Sequence, residues 1–248
     1  RQAIVPIFAA MGGMALPVLI YSIVNAGQPT AAGWGVPMST DIAFALAVFA
    51  IVARGLPKQI RTFVMTVAVV DDSLTILMIA IFFASSFHLL SLVSLAGVIC
   101  GLLIAFPKTF AHRLQPVVTF AALPVFALLS AGVNLGNIPG NFLASSITVG
   151  VLIAMIAGKP IGVLGTTWLV TKAGLGKLAS DIKWADLLPV GFLFGMCFTV
   201  SLLMSELSFG DNQAWHDNAN LAVFIGSATS AIIGTIAIKL RIRARAAK

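Results

Sequence analysis

The chain has 248 residues, of which 59% are hydrophobic and 9% charged, and its mean hydropathy is +1.05. Such a composition leaves too little polar surface to cover a soluble domain and indicates an all-α polytopic membrane protein. The net charge of +7 does not indicate a nucleic-acid partner, because the basic residues occur in short clusters between apolar runs rather than on one polar face.

Apolar runs separated by polar, Gly/Pro or charged breaks predict about eight transmembrane helices, each near the roughly 20 residues that a bilayer requires. We place them at residues 3–25, 35–54, 60–84, 89–106, 115–134, 142–171, 184–209 and 218–241. The fourth run is the shortest and the sixth the longest, so an error in the helix count would arise there.

The basic residues are distributed asymmetrically about these helices. Fourteen of the 15 Lys and Arg residues precede the first helix, occupy alternate loops or form the C-terminal tail. The opposite loops, around residues 25–34, 85–88, 134–141 and 210–217, contain none. By the positive-inside rule both termini are predicted to be cytoplasmic. The one exception is Lys159, in the middle of the sixth helix.

Four ionisable residues lie at membrane depth: Asp41, Asp71, Asp72 and Lys159. A charged side chain there costs about 2.5–3.5 kcal/mol on insertion scales, and the adjacent Asp71 and Asp72 also repel each other. Three acids and one base leave an excess of negative charge, which a cation or protons would balance. We therefore predict an ion or proton site, with a purely structural carboxylate pair as the alternative.

Helix-breaking residues lie next to these charges. Gly35 and Pro37 precede Asp41, and Pro160 follows Lys159, so we expect the sixth helix to kink or open near Lys159. Opened helices expose partial charges at their ends, and Asp41 would neutralise N-termini while Lys159 neutralises C-termini or pairs with an aspartate. Hydroxyl groups are available nearby on Thr40, Thr199 and Ser201.

Four motifs now define a resemblance: Thr40-Asp41-Ile-Ala-Phe-Ala, Asp71-Asp72 after Ala68-Val-Val, Gly158-Lys159-Pro160-Ile-Gly162, and Gly195-Met-Cys-Phe-Thr199-Val-Ser201. They resemble, in order, the motifs of the NhaA-type sodium/proton antiporters, a family known for its inverted repeats. The resemblance implies one transporter domain over residues 1–248. Within it, residues 3–84 and 142–241 would form the two repeats, 85–141 the connecting helices and 242–248 a basic cytoplasmic tail.

The resemblance also implies a function. The protein would exchange sodium or lithium ions for protons across the bacterial inner membrane, supporting pH and sodium homeostasis. Asp71 and Asp72 would bind the transported cation and the protons, while Lys159 and Asp41 would supply supporting charge and dipole compensation. Two broken, crossing helices would line the site with Thr40, Gly195, Thr199 and Ser201. No cofactor is implied, the lipid bilayer is the surrounding partner, and a homodimer stays open as the oligomeric state.

The chain departs from the family pattern in length. Family members have twelve helices, and the first two would be missing ahead of Arg1. About fifty further residues would be missing between Ile81 and Phe110. The fourth helix here therefore corresponds to the sixth or the eighth of the family, or to a fusion of the two.

Three other functions share features with this sequence. The chain could be a transport-incompetent truncated relative or a partner subunit of such an antiporter, because the motifs would survive while helices are missing. A sodium-coupled symporter fits less well, since Lys159 beside adjacent aspartates suits proton exchange. Intramembrane aspartyl proteases use Tyr-Asp and Gly-x-Gly-Asp motifs, and neither occurs. We therefore do not expect an enzyme.

The charge asymmetry yields a prediction about topology. Single cysteines introduced near Gln59 and Gly176 should react with a membrane-impermeant reagent only from the cytoplasmic side, and one near Asn137 only from outside. Labelling of the Asn137 and Gly176 positions from the same side would contradict the predicted orientation.

Overall fold

The computed structural model describes residues 4–53, 55–82, 125, 142–178 and 182–246. These ranges contain eight α-helices and no strand, which confirms the all-α prediction. The helices are α1 (Ile4–Val24), α2 (Ile42–Val52), α3 (Lys58–Phe82), α4 (Ser146–Ile153), α5 (Lys159–Lys172), α6 (Trp184–Gly191), α7 (Thr199–Phe209) and α8 (Gln213–Ala246). The predicted helices at 89–106 and 115–134 lie outside the described residues, apart from Val125.

Within the described ranges, four helical segments are long and apolar enough to cross a membrane: Ile4–Val24, Lys58–Ile79, Ser146–Lys172 and Gln213–Arg245. A fifth is formed if the pair Trp184–Gly195 and Thr199–Phe209, bent by 45°, counts as one span. The predicted helix at 35–54 is shorter than expected, because a 3₁₀ helix at Pro29–Gly35 ends before it and α2 begins only at Ile42.

The sixth helix is predicted to kink or open near Lys159; the structure has an irregular turn there, and the helix does not open. Helices α4 and α5 are joined by one turn of π-helix, Ala154–Gly158, and together form a single apolar span. The Lys159 N–H donates to the carbonyl of Ala154, one residue further back than in an α-helix. Pro160 has no N–H and its ring crowds the preceding turn, so the wider turn accommodates it without a break.

The chain divides into two compact units. One comprises Arg1–Leu74 and Val133–Lys248, and the other comprises Thr75–Gly132. In the second unit the structure describes only the end of α3 and Val125. All eight sequence-predicted site residues belong to the first unit. The two inverted repeats, at residues 3–84 and 142–241, remain a prediction.

Helices α1 and α5 approach each other closely through glycines. A Cβ atom on Gly162 would lie 2.2 Å from the Gly12 carbonyl oxygen, and one on Gly13 would lie 2.6 Å from the Val163 side chain. Small residues permit this backbone contact, which is typical of helix pairs in membranes. The contact holds α5, and therefore Lys159 at its start, against α1.

Helix α8 contacts the bent pair α6–α7 at both ends of that pair. The fully buried Asp186 at the start of α6 accepts from Arg241 Nε at 2.7 Å and lies 3.5 Å from Arg245 Nη2. At the other end, Glu206 Oε2 of α7 lies 3.0 Å from His216 Nε2 of α8. The pairing with Asp186 explains why α8 continues to Ala246, beyond the predicted end at residue 241.

The glycine contact gives a prediction about stability. Gly162→Ala should lower the free energy of unfolding by about 1–3 kcal/mol, because its methyl group would overlap a backbone carbonyl that cannot move freely. Gly165→Ala is the matched control on the same helix, since nothing lies within 4 Å of its added Cβ.

Alanine favours a helix over glycine, so Gly165→Ala should leave stability unchanged or raise it by up to about 1 kcal/mol. Thermal unfolding of the purified protein in detergent measures both variants. Equal effects of the two substitutions would contradict the close α1–α5 contact.

Candidate functional site

The candidate site is built around two unwound segments that cross. Asp41, just before α2, and Met196, after the 3₁₀ turn Phe192–Gly195, both have extended backbone. The Asp41 N–H donates to the Met196 carbonyl at 2.7 Å, and Thr40 Oγ1 donates to the Phe194 carbonyl at 2.9 Å. Backbone groups unpaired at membrane depth are costly, so each segment satisfies groups that the other leaves free.

Asp41 lies at the N-termini of two helices at once. Its Oδ1 accepts from the Phe44 N–H at 3.4 Å, which caps α2. Its Oδ2 accepts from Thr199, the first residue of α7, through the N–H at 3.3 Å and Oγ1 at 3.0 Å. Helix N-termini carry partial positive charge, so this buried carboxylate is stabilised by both helices.

Lys159 is 1% exposed and reaches the same crossing from α5. Its Nζ donates to the Met38 carbonyl and to Thr40 Oγ1, the latter at 3.1 Å, and lies 3.6 Å from Asp71 Oδ2. Met38 ends the turn that follows the 3₁₀ helix Pro29–Gly35, where partial negative charge accumulates. The ammonium group therefore contacts both a helical C-terminal end and a carboxylate.

Asp71 and Asp72 on α3 have different environments. Asp71 is 2% exposed, with Lys159 and Thr40 as its polar neighbours, whereas Asp72 is partly exposed. Adjacent helical residues point about 100° apart, which explains the difference. Asp72 remains within electrostatic range of Asp71, Asp41 and Lys159. The cluster thus combines three carboxylates with one ammonium group.

The remaining predicted lining residues contact the backbone of the crossing rather than these carboxylates. Ser201 Oγ donates to the Val36 carbonyl at 2.5 Å. A Cβ atom on Gly195 would lie 2.5 Å from the Met155 carbonyl oxygen and 2.6 Å from Ser230 Oγ, so only glycine fits there. Both residues therefore have close packing contacts in the structure.

Sequence reasoning missed two residues at the crossing, Cys197 and Ser227. The Cys197 thiol donates to the Ser39 carbonyl. Ser227 of α8 accepts from the Cys197 N–H at 3.1 Å and donates to the Cys197 carbonyl at 2.8 Å. Cys197 lies inside the motif at Gly195–Ser201, but the sequence does not indicate its partners. Ser227 carried no signal, because serine is common in membrane helices.

Comparison with known proteins identifies a family. The family model described as Na+/H+ antiporter 1 matches residues 1–109 and 93–238. The two matched segments overlap at 93–109, within the region where the sequence predicts an internal gap relative to the family.

Curated relatives match nearly the whole chain. A Na+/H+ antiporter NhaA of Kineococcus radiotolerans is 36% identical over 98% of this chain and 70% of its own length. Those of Arthrobacter sp. and Renibacterium salmoninarum are 35% and 36% identical, covering 98% and 97% of this chain and 67% and 68% of their own lengths. The first alignment spans 306 positions, so the relatives are longer than this 248-residue chain.

The match to the family model covers most of the chain, and the relatives exceed 30% identity over almost all of it. The chain therefore belongs to the Na+/H+ antiporter 1 family.

Proposed function

We propose that the protein is a secondary active transporter that exchanges sodium or lithium ions for protons across the bacterial inner membrane, in support of pH and sodium homeostasis. Family membership supports exchange of this kind. The observation that carries the proposal is the group of Asp41, Asp71 and Asp72 around Lys159, where two unwound segments cross.

The charge balance of the site explains why sodium binding would be coupled to proton release. With every group ionised, three carboxylates exceed one ammonium group by two negative charges, which is unfavourable in a buried environment. Asp41 is already stabilised by two helix N-termini, so the balance must be met at Asp71 and Asp72. Either protons or a metal cation can meet it there. Sodium binding therefore requires proton release, which is competition for the same oxygens.

The two aspartates take unequal parts in this proposal. Asp72 is the more open carboxylate and receives the cation first. Asp71 is held near Lys159, and a cation arriving beside it competes with the ammonium group. Lys159 keeps its contacts with Met38 and Thr40, so its charge stays at the crossing while Asp71 changes partner.

A transport-incompetent relative or partner subunit is the alternative, since the curated relatives are longer. That alternative retains the crossing but predicts no sodium binding. A sodium-coupled symporter is less favoured, because it has no need for proton release at the carboxylates. Cytoplasmic termini and a homodimer belong to the proposal as well and are tested by labelling and by oligomer mass.

The exchange proposal makes a calorimetric prediction. Sodium binding should release protons, and the apparent sodium affinity should rise with pH until the carboxylates are ionised. Asp72→Asn should abolish both effects, because the amide can neither ionise nor bind a proton in exchange. Titrations from about pH 6 to 9, in buffers of different ionisation enthalpy, count the protons released and span a plausible range for buried carboxylates.

Asp41→Asn serves as the comparison variant in the same titrations. It should weaken the affinity yet keep the proton release, since Asp41 contacts helix ends. Sodium binding without proton release at any pH would refute direct competition. No binding at all would favour the transport-incompetent alternative.

Lys159 gives a prediction about stability. Lys159→Ala should lower the free energy of unfolding by about 3–5 kcal/mol, because it leaves Asp71 and the Met38 carbonyl buried without their positive partner. Lys159→Arg keeps the charge and should be milder. Lys172→Ala is the control on the same helix. That side chain is exposed over the Trp168 ring, so its loss should cost about 1 kcal/mol or less.

Thermal unfolding in detergent compares these three variants. Similar effects of Lys159→Ala and Lys172→Ala would show that Lys159 has no buried partner and would contradict its role at the crossing.

A further inference from the structure

The unwound residues between the 3₁₀ turn Phe192–Gly195 and α7 are energetically costly at membrane depth unless their backbone groups are paired. Several of their backbone N–H and C=O groups have no partner in the adjoining helical turns, and a membrane interior supplies little water to pair with them. The Met196 carbonyl is paired because it accepts a hydrogen bond from the Asp41 N–H. Cys197, the next residue, has both its N–H and its C=O paired with one side chain, Ser227 of α8.

Ser227 is chemically suited to that task. A hydroxyl group donates one hydrogen bond and accepts others, so it can pair with an amide N–H and a carbonyl of the same residue. The distances of 3.1 Å and 2.8 Å fit both bonds. An alanine at this position would leave the two backbone groups buried without these partners, which is the costly outcome for polar groups in an apolar environment.

The neighbouring turn of α8 reinforces the contact. Phe224 lies one turn before Ser227, and its ring packs edge-to-face on Phe198, with 4.8 Å between ring centroids. Phe198 also packs on Phe44 of α2 at 5.8 Å. One turn of α8 therefore holds two consecutive unwound residues. The contacts of Asp186 with Arg241 and of Glu206 with His216 restrain this helix on either side of that turn.

Cys197 lies between the two residues that hold Asp41. Met196 accepts from the Asp41 N–H, and Thr199 donates twice to the Asp41 carboxylate. Displacing Cys197 would move both contacts. Because Thr40 beside Asp41 also contacts Lys159, such a shift would reach the aspartate cluster.

We propose that Ser227 is a positioning residue of the exchange site, which fixes the unwound Cys197 so that Thr199 and Met196 hold Asp41 in place. The inference rests on the proposed function for its effect on sodium, and on geometry alone for its effect on Cys197. It predicts that loss of the Ser227 hydroxyl changes the site, while loss of the Ser230 hydroxyl, which makes no hydrogen bond within the described residues, does not.

Two readouts test the proposal, and one of them needs no transport. The first is the rate at which a small alkylating reagent modifies Cys197, measured by mass spectrometry in a Cys100→Ser background. The second is the apparent sodium affinity by calorimetry. Ser227→Ala should raise the alkylation rate about tenfold and weaken sodium binding about tenfold, equivalent to about 1.4 kcal/mol.

The control variants are matched to Ser227. Ser227→Thr keeps the hydroxyl and should restore both values. Ser230→Ala removes a fully buried hydroxyl of the same helix that has no hydrogen-bond partner within the described residues, so it should change neither. If Ser227→Ala does not fold, the Thr variant and Ser227→Cys, a weaker hydrogen-bond donor, give the graded comparison.

The outcomes separate the two proposals. Faster alkylation with unchanged sodium affinity would make Ser227 merely structural and overturn the inference. Unchanged alkylation, or equal effects from Ser230→Ala, would also overturn it. If the parent protein binds no sodium, the proposed function fails, and the alkylation comparison still decides whether Ser227 holds Cys197.

Discussion

The crossing of two unwound segments is the constraint on which the rest of the described structure depends. A membrane interior provides no water for free backbone groups, so a helix can break there only where other protein groups replace the missing bonds. Here the replacements come from both segments and from outside them. Asp41 and Met196 pair backbone to backbone, Thr40 and Ser201 donate to carbonyls, and Ser227 satisfies Cys197. Each of these hydrogen bonds holds a residue in the position that the other hydrogen bonds of the crossing also need.

The broken helices also create partial charges, and the buried ionic side chains are arranged around them. Asp41 lies at the N-termini of α2 and α7, while Lys159 lies at the C-terminal end marked by Met38. This division has a consequence for exchange. In the proposed exchange, Asp41 is stabilised by fixed helix dipoles, whereas the charges of Asp71 and Asp72 are balanced by a species that binds and leaves. Mobile protons and cations are the natural candidates.

Helix α8 stabilises the bent pair α6–α7, a role that its composition does not indicate. It contacts the bent pair α6–α7 near the start, at the break and near the end, through Asp186, Cys197 and Glu206. A helix fixed at three places keeps the unwound segment in register with Asp41.

The sequence by itself determined the membrane class, the family and the identity of the buried charges, because apolar runs of spanning length make Asp41, Asp71, Asp72 and Lys159 conspicuous. It did not determine how the backbone responds to proline. Pro160 predicts a kink or an opening, whereas the structure has one π turn before Lys159 and close packing of α5 on α1 at Gly12 and Gly162. Nor could it assign Asp186, Cys197 or Ser227, whose partners lie 30 or more residues away in the chain. Pairings of that kind depend on where helices cross, and only the tertiary structure decides that.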